Sequence, residues 1–334
     1  MTNVLIGGGA RIVSRGAAWG IALCMGVVSG VQAQTTLTFG GSDAIGSILD
    51  KQNLRFTACA NEKGAGKLKI NFVQGEQLGS DMQVIEQMMQ GSVQIYGDVL
   101  DWYSNWVKDF AILAWGFTFR DAAHMQHFLD SDTYARLAEK LRKEQGLRIL
   151  AAAPTQPRIL FSKKPIGALA DLSGLKMRVP EIKTYLTLWQ TLGTRPSRLA
   201  WGEIYLGLKT GVVDAAEGPI SSAYAAKFHE AARQVIRTDH LMSSAHITVN
   251  EKAFAALPAD QQQVLTDCAK QAVAQTAAGA AKETDEVIAK MAAEGATVTT
   301  IDKAPIQARA REAVSKMESE GAWSTGLWEQ IQKL

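Results

Sequence analysis

From Pro258 to Glu294 the chain runs for some 36 residues with a single breaker, Gly279, through alanine, glutamine, lysine and glutamate. Proline suits the first helical position and Gly295 the stop. At 1.5 Å per residue one continuous helix here would be on the order of 50 Å long, longer than a small domain is wide. Such an element must brace two bodies or break near Gly279 into two helices. This feature most limits the fold.

Upstream, two stretches repeat a strand–helix rhythm. In the first, Leu37–Gly40, Lys67–Val73 and Ser92–Tyr96 read as strands separated by helices over Ile45–Glu62 and Asp81–Gln90, the latter capped by Ser80 or Asp81. In the second, strands are expected at Leu147–Ala153, Arg158–Ser162, Leu175–Val179 and Val212–Ala215. A short extended piece follows at Arg195–Arg198, helices lie over Ile182–Leu192 and Glu203–Lys209, and a last strand spans Ile247–Asn250. The rhythm predicts α/β layers with largely parallel pairing. Pro154 and Pro157 mark the join. The expected division is 34–156 for lobe I, 157–246 for lobe II, and 247–334 for a return strand, the long helix and C-terminal helices carrying Trp323 and Trp328.

Residues 1–33 read as an export signal. Arg11 and Arg15 precede the uncharged, mostly apolar or small run Gly16–Gly30, and Val31 and Ala33 suit a signal peptidase cutting before Gln34. Residues 16–30 are too short and glycine-rich for a comfortable span, and Leu23-Cys24 lacks a lipidation context. No later stretch reaches the ~20 apolar residues of a membrane span, so a soluble periplasmic protein is expected. Loss of Arg11 and Arg15 leaves 33 basic against 33 acidic residues. Such a balance argues against a polyanion partner, nucleic acid included. Apolar residues at 47% and charged ones at 20% exclude a mainly disordered chain. Cys59 and Cys268 remain, on separate predicted helices. An oxidising compartment permits their pairing, but two free buried thiols are the expectation.

Enzyme signatures are missing: there is no G-x-S-x-G elbow, no H-E-x-x-H and no phosphate loop. His124 and His127 would share a helix face, but two histidines alone rarely make a metal site. Asp98 and Asp101 form an acidic pair of a kind common on loops. Neither a cofactor nor a metal is expected.

The most informative segment is Asp171-Leu-Ser-Gly-Leu-Lys-Met-Arg-Val-Pro180. Glycine turns into a strand and proline ends it, which places Arg178 near the strand's carboxyl end, where open α/β layers bind ligands. Its planar fork suits a carboxylate.

With that segment the sequence resembles the solute-binding proteins of tripartite ATP-independent periplasmic (TRAP) transporters, DctP type. Gly75-Glu-Gln-Leu-Gly79, Phe119-Arg-Asp121, Lys163-Lys-Pro-Ile166, Gly211-Val-Val-Asp-Ala-Ala-Glu-Gly-Pro219, Lys227-Phe-His-Glu230 and Leu257-Pro258 extend the likeness over 37–295. The resemblance implies a two-lobed periplasmic-binding-protein (Venus-flytrap) fold with a hinge and a long bracing helix. It implies a receptor that closes on an organic acid and delivers it to two membrane subunits for secondary-active uptake. Arg178 would hold the carboxylate, Arg158 falls on a second arginine position, and Trp201 takes the place of an aromatic residue. Asp98, Trp102 and Tyr103 would face the pocket from the first lobe. Gly218 stands where the family commonly has asparagine. That change removes a polar contact and adds space, and with the aromatic stretch Trp102–Trp106 it suggests a bulkier acid, aromatic acids among them. Two rivals are an exported two-lobed enzyme acting on a small carboxylate and a receptor feeding a sensor kinase.

Overall fold

The computed structural model describes Gly9 and residues 34–334; the expected signal 1–33 otherwise lies outside the described residues. Residues 34–334 form one compact unit. Nine strands join in one mixed sheet, in the order β2-β1-β3-β8-β4-β7-β5-β6, with β9 also paired to β8. They are β1 (Thr35–Gly40), β2 (Leu68–Val73), β3 (Ile95–Tyr96), β4 (Leu147–Ser162), β5 (Lys176–Val179), β6 (Arg195–Arg198), β7 (Ala215–Pro219), β8 (Gln234–Asn250) and β9 (Thr297–Thr300).

The sheet has two parallel wings. β2, β1 and β3 pair parallel and attach antiparallel to Thr248 and Val249 of β8. β6, β5 and β7 pair parallel and attach antiparallel to Arg158–Ser162 of β4. Between the wings β4 and β8 form one antiparallel ladder from Leu147↔Asn250 to Ser162↔Gln234. The sequence suggests two strands at 147–153 and 158–162, but the structure has one, carrying Pro154 and Pro157 at a slip in register. Proline lacks a ladder donor and is tolerated where pairing is already irregular. Gln156, fully buried there, accepts from the Ser221 amide at 2.9 Å and donates to the Ala280 carbonyl at 3.4 Å.

The long helix is continuous from Ala259 to Ala293 and passes through Gly279 without a break. Gly279 is exposed with open space around it, so it costs only its intrinsic helix penalty, about 1 kcal/mol. The helix buries a row of mostly small side chains at three- and four-residue spacing. Leu265, Ala269 and Val273 pack with Leu37, Phe39 and Phe56 of the first wing. Val287 and Met291 pack with Ile159, Phe161 and Phe228 of the second. One rigid rod therefore touches both apolar clusters, which is the bracing role its length demands.

The expected free thiols are instead a disulfide: Cys59, on the helix Ile48–Lys63, is bonded to Cys268 on the long helix. The two helices pack side by side, which their spacing in sequence could not show. The bridge closes a loop spanning 209 positions, so it restricts the unfolded chain strongly. Replacing both cysteines with serine should cost about 2–4 kcal/mol. That loss should appear as a fall of roughly 3–6 °C in the melting temperature; an unchanged melt would mean the bridge adds nothing to stability.

His124 is buried and bolts the C-terminal helix in place. Its Nε2 donates to the Ile331 carbonyl at 2.8 Å and its Nδ1 accepts from the Arg120 amide at 3.1 Å. Among the described residues no cluster of potential ligands could hold a metal ion. Nor is any helix there long and apolar enough to cross a membrane.

Candidate functional site

The register of the second wing determines where its charged side chains go. Arg158 on β4 lies opposite Pro219, and Leu160 opposite Glu217 on β7. Cross-strand partners share a face, and side chains alternate along a strand. Arg158 and Glu217 therefore share one face of the sheet. Arg178 on β5 lies opposite Ala216 of β7, so it projects from the other face, with Gly218. The two arginines meet where β5 and β7 end, around a cavity of about 40 Å³ lined by Asp101, Trp102, Arg158, Arg178, Tyr185 and Trp201 among others. That is the carboxyl edge where α/β sheets bind ligands.

Arg158 is already partnered. Its Nε and Nη2 donate to the two oxygens of Glu217 at 2.5 and 2.7 Å, and its guanidinium lies over the Tyr185 ring at 5.0 Å. Glu217 is wholly buried and also accepts from His240 Nε2 at 3.2 Å; Thr238 donates to His240 Nδ1 at 2.8 Å, which fixes the tautomer. Burial alone would raise the Glu217 carboxyl, but Arg158 and His240 overcome it and hold the group at about 2.

Arg178 is different. It is 1% exposed, and its Nε and Nη2 donate to the Leu199 carbonyl at 3.0 and 2.7 Å. It makes no ion pair among the described residues, and its buried Nη1 has no protein acceptor. Burial pushes its pKa down to about 10, with nearby Glu217 opposing. An uncompensated buried charge is costly.

A second cavity of about 250 Å³ lies on the other side of Trp201, lined by Asp43, Glu76, Gly202, Tyr205 and Phe228 among others. Asp43 Oδ2 accepts from Ser47 at 2.8 Å and from Ser222, on the helix Ile220–Ala225, at 2.6 Å. Glu76 accepts from the Gly202 amide at 3.0 Å. The lining of this second cavity is thus acidic, an arrangement that accepts hydrogen bonds from hydroxyl groups.

The expected site residues separate into groups. Arg158, Arg178, Trp102 and Trp201 line the small cavity. Asp98 and Tyr103 do not line either cavity. Tyr103 is fully buried against Phe110 and His246, and Asp98 is buried, its Oδ1 accepting from the Val99 amide at 2.7 Å. Trp102 and Tyr103 lie on a 3₁₀ helix, Leu100–Asn105, whose tight turn sends Asp101 and Trp102, not Tyr103, to the cavity. The space next to Gly218 is taken by the Trp201 ring. Sequence reasoning missed Tyr185, whose hydroxyl donates to Asp101 at 2.6 Å, and the acidic lining by Asp43 and Glu76.

These buried acids set a pH dependence. Burial raises Asp43 to about 6 against three hydrogen bonds, and raises Asp101 to about 6 against Arg158 and Tyr185. Carboxyls raised above their unfolded value near 4 contribute stability below that value and lose it as pH rises through 6. Buried His246, pushed down to about 3, works the other way, because it resists the protonation that the unfolded chain accepts below about 6.5. Asp98, raised by burial and by its acidic neighbours Asp81 and Asp43, adds to the carboxyl side. The ligand-free protein should therefore melt at a higher temperature at pH 5 than at pH 7.5. Asp43→Asn should reduce that difference; an equal or larger difference in the variant would contradict it.

A family model described as bacterial extracellular solute-binding protein, family 7 (DctP), matches residues 39–320. The chain is 29% identical over 257 residues to a solute-binding protein of Roseobacter denitrificans, a match covering 76% of this chain and 78% of that one. It is 24% identical over 286 residues to the sialic acid-binding periplasmic protein SiaP of Vibrio cholerae, covering 85% and 89%. Among solved structures, a TRAP periplasmic solute-binding protein from Roseobacter denitrificans with bound β-D-glucuronate superposes with a TM-score of 0.82 at 27% identity, covering 89% of this chain and 99% of that one.

Proposed function

Because the chain belongs to bacterial extracellular solute-binding protein family 7, the DctP family, we propose that it is the periplasmic receptor of a TRAP transporter and captures a small, hydroxyl-rich organic acid. The observation that carries this reading is Arg178, a buried guanidinium with a free donor and no acid partner among the described residues, on the wall of a cavity large enough for a carboxylate head. A ligand carboxylate supplies the missing counter-charge in a low-dielectric setting, where charge-assisted hydrogen bonds are strong. Arg158 stands beside it, fixed by Glu217, and adds positive field. Trp102 and Trp201 cover the ligand's body. The acid lining by Asp43 and Glu76 favours hydroxyl groups over an aromatic ring, and so does the filling of the Gly218 space by Trp201. Asp98 and Tyr103 support the pocket from behind. The glucuronate held by the Roseobacter protein is an acid of this kind.

Capture is completed by closure. Lobe I (34–156) and lobe II (157–246) hinge at the register slip of β4 and β8, while the segment 247–334 supplies the return strand and the brace. Closing buries the acid between Arg178 and the acidic wall, and the closed receptor hands it to the two membrane subunits. Residues 1–33 direct export and are removed before Gln34, directly ahead of β1. The receptor returns its ligand chemically unchanged and needs no cofactor.

Thermal unfolding of 34–334 against aliphatic, hydroxylated and aromatic carboxylates tests the reading. An acid at 100 times its dissociation constant should add about 2.7 kcal/mol of stability. Hydroxylated acids such as D-glucuronate should shift the melt most. A shift by aromatic acids alone would overturn the substrate class, and no shift by any carboxylate would overturn the receptor reading.

A further inference from the structure

Two buried donors in the wall of the acid pocket have no acceptor in the protein: Arg178 Nη1 and the Trp201 indole Nε1. They are neighbours, the Arg178 guanidinium lying 5.6 Å from the indole ring centre. Buried polar groups are nearly always hydrogen-bonded, so two orphan donors on residues lining one cavity mark a place where an acceptor belongs.

The indole is held in place by what residue 218 lacks. A Cβ at Gly218 would lie 2.9 Å from Trp201 Cη2, closer than carbon contacts come, and 3.2 Å from Cζ3, so the ring would have to shift. The benzo edge of the indole therefore seats directly on the β7 backbone, and Phe228 holds it with ring centres 4.8 Å apart. Indole is rigid and planar, so seating the benzo edge also sets the pyrrole edge that carries Nε1. Trp201 lines both the inner cavity at the arginines and the outer, acid-lined cavity.

We propose that Trp201 is a hydrogen-bonding, specificity-determining residue of the acid site. Its indole N–H donates to an acceptor oxygen next to the carboxylate held by Arg178, and Gly218 is the seat that sets its position. The proposal rests on the reading of the site as an acid receptor. The ligand class follows: acids that carry a further acceptor oxygen close to the carboxylate, such as 2-hydroxy acids. A side chain at 218 would push the indole into the space the ligand needs, whereas a smaller ring at 201 would accept that side chain but lose the donor.

The test uses D-glucuronate as probe, with protein labelled with ¹⁵N on its indole groups. The Trp201 N–H resonance, identified by its loss in Trp201→Phe, should move on saturation. Trp201→Phe should bind at least tenfold more weakly, and so should Gly218→Ala. The double variant should bind no worse than Trp201→Phe alone, because the seat matters only through the indole. Melting of each ligand-free variant establishes that it is folded. An unmoved resonance, unchanged affinity in Trp201→Phe, or full additivity in the double variant would overturn the proposal. If those results accompany loss of binding in Arg178→Ala, the receptor reading stands without it. A wild-type protein that binds no acid removes both.

Discussion

Arg178→Ala is expected to lose acid binding almost completely. The guanidinium is 1% exposed and makes no ion pair among the described residues, so a bound carboxylate would be its only full counter-charge. Removing one member of a buried ion pair costs about 3–5 kcal/mol, because the other is left uncompensated. At tenfold per 1.4 kcal/mol, the affinity should fall on the order of a hundred- to a thousandfold or more. The ligand-free variant should melt close to the wild type: it gives up two hydrogen bonds to the Leu199 carbonyl but also the cost of an unpaired buried charge. Titration calorimetry and melting together separate this outcome from misfolding. Affinity within tenfold of wild type in a folded Arg178→Ala protein would remove Arg178 as the carboxylate anchor.

The elements best legible in the sequence are those whose pattern is local. The helix Ala259–Ala293 follows from the absence of breakers, and β1, β2 and β5 from short apolar runs ended by glycine or proline. β8 was legible only at Ile247–Asn250. Its earlier part, Gln234 to His246, mixes Thr238, His240, Ser243 and Ser244 with apolar residues and is largely buried, so no polar face alternates with an apolar one. What makes it a strand is β4 alongside it, whose partners Ser162 to Ala152 lie far outside any local window. The disulfide was hidden for the same reason, since it depends on two helices touching.

The site divides along similar lines. Arg178 stood out because its strand is bracketed by Gly174 and Pro180, and its resemblance to a family motif gave it a role. Glu217 lay within a quoted motif, yet its pairing with Arg158 needs the β4–β7 register. Asp43 and Glu76 come from turns after β1 and β2, with nothing local to set them apart. Tyr103 and Trp102 are adjacent in sequence, and only the 3₁₀ turn decides which of them reaches the cavity.

The register also identifies where the fold itself is most vulnerable. Glu217→Gln is expected to be strongly destabilising while leaving the shape of the side chain intact. Arg158 and Glu217 are both buried, and their bidentate bond compensates two charges that neither water nor another acid reaches in full. Breaking such a pair from one side costs about 3–5 kcal/mol. In a chain of this size that corresponds to a fall of roughly 5–8 °C in melting temperature. The pH dependence carries the sign of a lowered carboxyl. Glu217 is held at about 2, below its unfolded value near 4.3, so its contribution is full above pH 4.3 and is lost as pH falls towards 2. The acid limb of the stability curve should therefore be shallower in Glu217→Gln than in wild type. Replacing both partners by apolar residues, Arg158→Met with Glu217→Leu, should recover much of the loss, because desolvation offsets most of what the pair gains. Recovery of stability together with retained acid binding would make Arg158 a brace and leave Arg178 as the anchor. Recovery with binding lost would make both arginines ligand-holding groups, and Glu217 the residue that positions one of them.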